Sequence, residues 1–220
     1  MYQCNDSGFV CHQLDTECRF LTGRLPSGLE LNPEAFESMW STHPKDYHEI
    51  RIHGRLVKTP RWQQAYGVDY HYTNRTNQAI PLTPTLNQFL DWAKLTIDQN
   101  LNGVLVNWYD GKLSHYIGAH RDSRVNMVVD APIVTISFGE PRTFRLRPWK
   151  GKGFRDFVTE NGTVFIMPFE TNKAWTHEVP HAAKFRGRRI SITIRAFLTN
   201  AGENTLVRSI REPVEQFTRA

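Results

Sequence analysis

No stretch of this chain stays apolar over the ~18–20 residues a helix needs to cross a bilayer, so no membrane-spanning segment is expected. Cysteine is scarce: there are three, Cys4, Cys11 and Cys18, all near the N-terminus. An odd, clustered set does not make a disulfide framework and fits a reducing compartment. Their even spacing resembles a metal site only superficially, because no His or Cys pair sits at finger spacing. They read as free thiols in a surface segment. The opening stretch MYQCNDSGFV lacks both a basic n-region and an apolar h-region, so no secretory signal is expected. The expected location is intracellular: cytoplasmic, or nuclear in a eukaryote. Internal repeats and low-complexity tracts are absent too, which sets repeat architectures aside.

What is present suits one globular domain. The chain has 220 residues, of which 40% are apolar and 22% charged, enough for a real core. The aromatic share of 12% favours a β-rich interior or a stacking surface. Lys and Arg exceed Asp and Glu by 27 to 22, a mild positive excess compatible with a polyanionic partner. A monomer is expected.

Residues 1–31 look irregular, rich in Gly, Ser and Thr. Asn32-Pro33 is a cap followed by proline at the first helical position, with Phe36, Met39 and Trp40 at helical spacing and Pro44 as the stop. His48–Val57 patterns as a strand, and Pro60–Gly67 as another. Thr83-Pro84 repeats the helix-start signal, and Leu86, Phe89, Leu90, Ala93 and Ile97 fall on one face of a four-turn helix. After Asn100 come strands at Gly103–Tyr109, Pro132–Gly139, Arg142–Trp149, Phe154–Thr159, Thr163–Pro168 and Arg189–Leu198. Asn161-Gly162, between two of them, is a hairpin signal. Strands so spaced, without long helices between them, predict a mainly β protein with flanking helices (α+β), an antiparallel sandwich or jelly roll. Residues 200–220 form a polar tail.

His120-Arg121-Asp122 is the sharpest local feature. Side chains alternate along an extended segment, so His120 and Asp122 project together and can supply two corners of a metal site. A lone His-x-Asp arises easily by chance and needs company. His177, after the strand Thr163–Pro168 and a short turn, can complete a 2-His-1-carboxylate set, which leaves open positions suited to non-haem Fe(II). Arg189 and Arg195 share one face of a strand, with Ile190, Ile192 and Ile194 on the other. Two inward arginines suit a dicarboxylate, since the guanidinium fork binds carboxylate bidentately.

The ordered stretches PRWQQAYG (60–67), NWYDG (107–111), IGAHRD (117–122), PIVTISFG (132–139), GTVFIMP (162–168), WTHEVP (175–180) and RRISITIR (188–195) resemble the AlkB family of Fe(II)/2-oxoglutarate dioxygenases. The resemblance implies a double-stranded β-helix (jelly roll) with an N-terminal lid: one domain over 32–199, its substrate lid around 60–80. It implies Fe(II) held by His120, Asp122 and His177, with 2-oxoglutarate and O₂ as co-substrates. It places Arg195 and Tyr109 on the distal carboxylate of 2-oxoglutarate, and Arg189 and Asn107 near the chelating end. Ser191 stands where the family often has Asn, which should weaken one co-substrate contact. The implied reaction oxidises a substrate C–H, with succinate and CO₂ as products; an N-methyl group would leave as formaldehyde.

The implied substrate is a modified base in DNA or RNA, extruded from a duplex or taken from a single strand. Tyr66, Tyr70 and Tyr72 in the lid could stack on it. Arg145 and Arg147, with Lys150, Lys152 and Arg155, and separately Lys184, Arg186 and Arg188, could bind phosphates. One departure stands out. Arg124 occupies a place where repair enzymes of this type carry an acidic residue facing the base, and a positive charge there disfavours a cationic base. That departure, together with only a modest basic excess, motivates an alternative, an oxygenase acting on a protein side chain or a small anionic molecule.

Overall fold

The computed structural model describes residues 8–198 except 53, 73 and 74. Along the chain run β1 (Val10–Gln13), β2 (Arg19–Arg24), α1 (Pro33–Trp40), β3 (Glu49–Ile52), β4 (Arg55–Lys58), β5 (Trp62–Tyr66), β6 (Tyr70–Tyr72), β7 (Arg75–Asn77) and β8 (Ala79–Ile80). There follow α2 (Pro84–Thr96), β9 (Gly103–Asp110), β10 (Ile117–His120), β11 (Ile133–Gly139), β12 (Arg142–Pro148), β13 (Arg155–Thr159), β14 (Thr163–Met167), α3 (Phe169–Ala174), β15 (Trp175–Val179) and β16 (Arg188–Arg195).

Two sheets carry the architecture. The major one has eight strands in the order β1-β2-β14-β11-β16-β9-β5-β8, and the minor one four, β10-β15-β12-β13. Every pairing in them is antiparallel except β5 with β8. This is the expected mainly β jelly roll.

Strand parity sorts the core. In β9, Val104, Val106 and Trp108 face outward, and so do Ile190, Ile192 and Ile194 in β16 and Val134, Ile136 and Phe138 in β11. On that side α2 lays down Leu86, Phe89, Leu90 and Ala93, and α1 Met39 and Trp40. Burying each large apolar side chain contributes roughly 1.5–3 kcal/mol. The helices start where the sequence says they should. The Asn32 side chain accepts from Ala35 N–H at 2.8 Å and Thr83 from Leu86 N–H at 3.2 Å, caps typically worth about 1 kcal/mol each. The opposite parity points between the sheets, where Leu105, Tyr109, Phe144, Leu146, Phe165 and Trp175 form a second cluster. Both faces of the major sheet are therefore covered, which is why its strands read as nearly continuous apolar runs.

Four expectations need correction. The segment 1–31 is not irregular: β1 and β2 extend the major sheet past β14, and Phe20 and Leu21 on adjacent positions enter the two opposite clusters. Cys18 is buried, not superficial, and burial pushes its thiol up to about 11; Cys4 lies outside the described residues. The stretch His48–Val57 is a hairpin of β3 and β4, turned at Gly54 with φ +79°, a left-handed conformation glycine adopts without a Cβ clash. Asn161-Gly162 does not close a hairpin. β13 belongs to the minor sheet and β14 to the major, so this turn carries the chain from one sheet to the other. Its Gly162 N–H donates to Ser137 O, and Asn161 Oδ1 accepts from Gly139 N–H. Local turn chemistry was satisfied, but tertiary pairing chose different partners. β16 stops at Arg195 rather than Leu198, and among the described residues beyond it Phe197 forms an isolated bridge to Met127. Among the described residues no helix is long and apolar enough to cross a membrane.

Candidate metal and dicarboxylate site

β10 and β15 pair so that His120 stands directly opposite His177, with a register irregularity between Ile117 and His120. The imidazole centroids are 4.2 Å apart. Asp122 follows two residues later, as alternation requires, and reaches between them: its Oδ1 is 3.5 Å from His120 Nε2 and 3.7 Å from His177 Nε2. One ligand atom from each residue falls within 4.8 Å of the others. Gly118 O accepts from His120 Nδ1 at 2.8 Å, which fixes that proton and leaves Nε2 as a lone-pair donor.

The short turn expected before His177 is the helix α3, and it does more than connect. Asn172, fully buried, grips the backbone of Asp122 from both sides. Its Oδ1 accepts from Asp122 N–H at 2.9 Å, and its Nδ2 donates to Asp122 O at 3.1 Å. No sequence motif marked Asn172; its role depends on packing α3 against a segment some 50 positions earlier.

The Asp122 carboxylate is divided. Oδ1 faces the histidines, while Oδ2 accepts from Arg195 Nε at 2.9 Å and Nη2 at 2.5 Å. Burial opposes ionisation of Asp122, but the Arg195 guanidinium and the two histidines outweigh it and hold the carboxyl well below the usual range. His177 is pushed down to about 3, first by burial and then by neighbouring His120. Both groups thus rest in the forms a cation needs, carboxylate and neutral imidazole. Two nitrogen donors and one carboxylate oxygen, converging from one side with a cavity opposite, fit Fe(II).

The cavity floor is the inner face of the major sheet. Asn107 and Tyr109 from β9 and Arg189, Ser191 and Arg195 from β16 all line it, as their shared parity predicted. Their allocation differs from expectation, however. Arg195 is committed to Asp122, at the metal end. Arg189 lies six positions along the same strand, 1% exposed, with its guanidinium carbon 5.0 Å from the Tyr109 ring centre. Its Nη2 donates to Ser137 Oγ at 2.8 Å, while Nε and Nη1 are buried without partners. Burial draws this guanidinium down to about 10, so it remains charged at neutral pH. A buried cation with open donors calls for an anion.

The lid residues divide. Tyr70 and Tyr72 line the cavity as a stacked pair, 5.9 Å apart, and Tyr70 also packs on Arg195. Tyr66 does not join them. In β5 it shares parity with Trp62 and points to the outer side, into a groove it shares with Thr42, Met39 and Trp108; Arg61, Gln63 and Ala65 take the inner side. Arg61 and Gln63 carry no motif of their own, although alternation within PRWQQAYG already separates them from Trp62 and Tyr66. Arg124 is exposed and does not line the cavity. Several proposed phosphate contacts are paired: Arg145 with Asp156, Arg147 with Glu178, Arg188 with Glu37.

A second buried histidine, His115, lies outside this cavity against Tyr47 and Trp62. His115 Nδ1 accepts from Asp110 N–H at 3.1 Å, which leaves Nε2–H to donate to Tyr47 Oη at 3.0 Å. Burial lowers His115 below its ordinary 6.5. The unfolded chain protonates both histidines near 6.5, whereas folded His115 titrates lower and folded His177 near 3. The stability they contribute is thus complete above about pH 6.5 and is lost as pH falls below it. Thermal melts of the metal-free protein should be flat between about pH 7 and 8 and drop steadily below about pH 6.5, with His177 alone contributing up to roughly 1.4 kcal/mol per pH unit. A midpoint unchanged down to about pH 4.5 would contradict the neutral buried histidines.

A jelly roll holding two histidines and a carboxylate at one end of a cavity, and an unmet buried arginine within it, can hold a metal ion and a carboxylate ligand side by side. Sequence comparison agrees: residues 29–195 match the 2OG-Fe(II) oxygenase superfamily, and the chain belongs to it. Proteins of the AlkB type are among its relatives. It is 28% identical over 169 residues to the DNA oxidative demethylase ALKBH2 of Bos taurus, covering 72% of this chain and 60% of that protein. It is 29% identical over 160 residues to that of Homo sapiens, covering 68% and 61%. It is 30% identical over 148 residues to the alpha-ketoglutarate-dependent dioxygenase alkB homolog 3 of Rattus norvegicus, covering 62% and 50%. The chain thus spans about 60% of the length of the ALKBH2 relatives first compared. In fold it is similar to OsALKBH1, with TM-score 0.55 and 14% identity over 85% of this chain and all of that one. A 2OG-Fe(II) oxygenase from Burkholderia pseudomallei gives 0.50 and 16%, covering 80% and 84%.

Proposed function

We propose that this protein is an Fe(II)- and 2-oxoglutarate-dependent dioxygenase that oxidatively demethylates, or hydroxylates, a modified base in DNA or RNA. The observation that carries the reading is the pairing of a complete His120/Asp122/His177 donor set with Arg189, a buried cation whose Nε and Nη1 lack partners. Bound Fe(II) with 2-oxoglutarate would supply the oxidising chemistry, consuming O₂ and yielding succinate and CO₂.

The chain's own residues bind and orient. His120, Asp122 and His177 would hold the metal, with Asn172 fixing the Asp122 backbone and Arg195 orienting its carboxylate through Oδ2. Arg189, with Tyr109 beside it, would take the distal carboxylate, and Asn107 and Ser191 line the floor between. This reverses the allocation the resemblance suggested, because Arg195 already has a carboxylate. Tyr70 and Tyr72 offer an aromatic wall against which a planar base can stack. An N-methyl group hydroxylated at carbon would leave as formaldehyde.

The nucleic-acid substrate draws support from this wall and from relatives whose names state DNA oxidative demethylation. The alternative, a protein side chain or small anion, rested on only a modest basic excess together with Arg124 facing the substrate. That side chain is exposed and outside the cavity lining, so its motivation weakens.

Formaldehyde and succinate should be measured together across N-methylated single- and double-stranded DNA and RNA oligonucleotides. The expected outcome is formaldehyde from at least one oligonucleotide, matched by succinate and dependent on Fe(II). Succinate without formaldehyde from any of them would remove the nucleic-acid part of the proposal and leave the oxygenase.

A further inference from the structure

Arginine has five N–H donors and no acceptor, so any side-chain atom it hydrogen-bonds must be an acceptor. Arg61 uses this twice. Its Nε donates to Asn107 Oδ1 at 2.8 Å, and its Nη2 donates to Gln63 Oε1 at 3.0 Å. These contacts settle which end of each amide is oxygen. With both carbonyl oxygens held by Arg61, both NH₂ groups are left to serve other partners.

The three residues are deeply buried, at 4% exposure for Arg61, 3% for Gln63 and 6% for Asn107, and all three line the cavity. Gln63 and Asn107 stand directly opposite on β5 and β9. The row continues across the floor through Ser191 to Ser137, whose hydroxyl accepts from Arg189. Gln63 Nε2 is buried with no partner, the same condition as Nε and Nη1 of Arg189. A buried donor left unmet is unfavourable unless a ligand brings the acceptor.

Apart from hydroxyls, which can act either way, the side chains of this row offer donors, the Arg189 guanidinium and the two amide NH₂ groups, while the lining carboxylate of Asp122 is already held by Arg195. A nucleobase edge presents donors as well as acceptors, whereas a carboxylate presents acceptors alone. We infer that Gln63 is a further donor to bound 2-oxoglutarate, and that Arg61 is the positioning residue that turns the NH₂ groups of Gln63 and Asn107 toward it. This rests on the reading of the cavity as a 2-oxoglutarate site. Arg61 touches no ligand in this role; it acts by fixing two amides at once.

The test is calorimetric titration of 2-oxoglutarate into protein loaded with Mn(II), which binds without turnover. Gln63→Glu keeps an oxygen for Arg61, so the fold should hold, but puts a carboxylate where the donor stood. Its Kd for 2-oxoglutarate should rise about 10- to 100-fold, the loss of one charge-assisted hydrogen bond or more, with Mn(II) affinity and melting temperature near wild type. Gln63→Met removes the donor without adding charge and should show a smaller rise. Arg61→Lys keeps the charge but reaches one amide at most; a several-fold rise in Kd at unchanged Mn(II) affinity supports the positioning role, and wild-type affinity overturns it. Equal 2-oxoglutarate affinity in Gln63→Glu overturns the inference, and if the KM for a nucleic-acid substrate rises instead, the donor serves the substrate. Wild-type protein that takes up Mn(II) but not 2-oxoglutarate would remove the cavity reading and this inference together. Wild-type binding that is lost in Arg189→Met but intact in Gln63→Glu would sink this inference alone.

Discussion

Asp122→Ala should lose metal binding and turnover together, and should also be markedly less stable. The first effect follows from geometry: Oδ1 of Asp122 lies 3.5 and 3.7 Å from the two histidine nitrogens, and without it only a cross-strand histidine pair remains. The second follows from Oδ2. Removing it strands Arg195, 3% exposed, without its carboxylate. Breaking a buried ion pair from one side typically costs about 3–5 kcal/mol, which for a chain of this size lowers Tm by roughly 6–20 °C. Asp122→Asn separates the two effects. Its amide oxygen can still accept from Arg195, so most of the stability should return, while a neutral donor holds the cation poorly. Metal titration and thermal melting of both variants read the two consequences independently. Undiminished succinate formation by Asp122→Ala would refute the ligand assignment, and an unchanged Tm would mean that Arg195 has another partner.

Parity carried much of what the sequence disclosed. Two-residue alternation put His120 with Asp122, and Arg189 with Ser191 and Arg195, on common faces, and the structure brings these faces to one cavity. Proline and cap chemistry marked both long helices at their first residues. What alternation cannot say is which partner a side chain meets. Arg189 and Arg195 are equivalent by pattern; only the third dimension shows that one is held by Asp122 and the other is open. Tyr66 parts from Tyr70 and Tyr72 for a related reason: proximity along the chain groups the three, although β5 and β6 are separate elements and the parity of Tyr66 matches Trp62. Asn172 and β2 were illegible because what makes them matter is a contact with a distant segment, Asp122 in one case and β14 in the other. The Asn161-Gly162 turn was legible as a turn and misleading as a hairpin, since a turn's own chemistry does not choose the sheet that follows it.

The two arginines of β16 therefore make opposite predictions. Arg189→Met should leave the ligand-free protein as stable as the parent or more so, because it removes a buried charge whose Nε and Nη1 have no partner. The same change should weaken 2-oxoglutarate binding severely. Truncating one side of a buried charge pair costs about 2–5 kcal/mol, or roughly 30- to 5,000-fold in Kd. Arg195→Met should invert this pattern. It leaves buried Asp122 without the guanidinium that holds its carboxyl down, so the ligand-free protein loses stability and the ligand set binds its cation less well at mildly acidic pH. Its effect on 2-oxoglutarate should be the smaller of the two and should shrink when Mn(II) is saturating. Titration of 2-oxoglutarate into both Mn(II)-loaded variants, with melts of both metal-free forms, distinguishes the roles. If Arg195→Met proves the more damaging to 2-oxoglutarate at saturating Mn(II), and Arg189→Met the more damaging to stability, the distal carboxylate belongs to Arg195 after all. The open donors of Arg189 would then need a different anion.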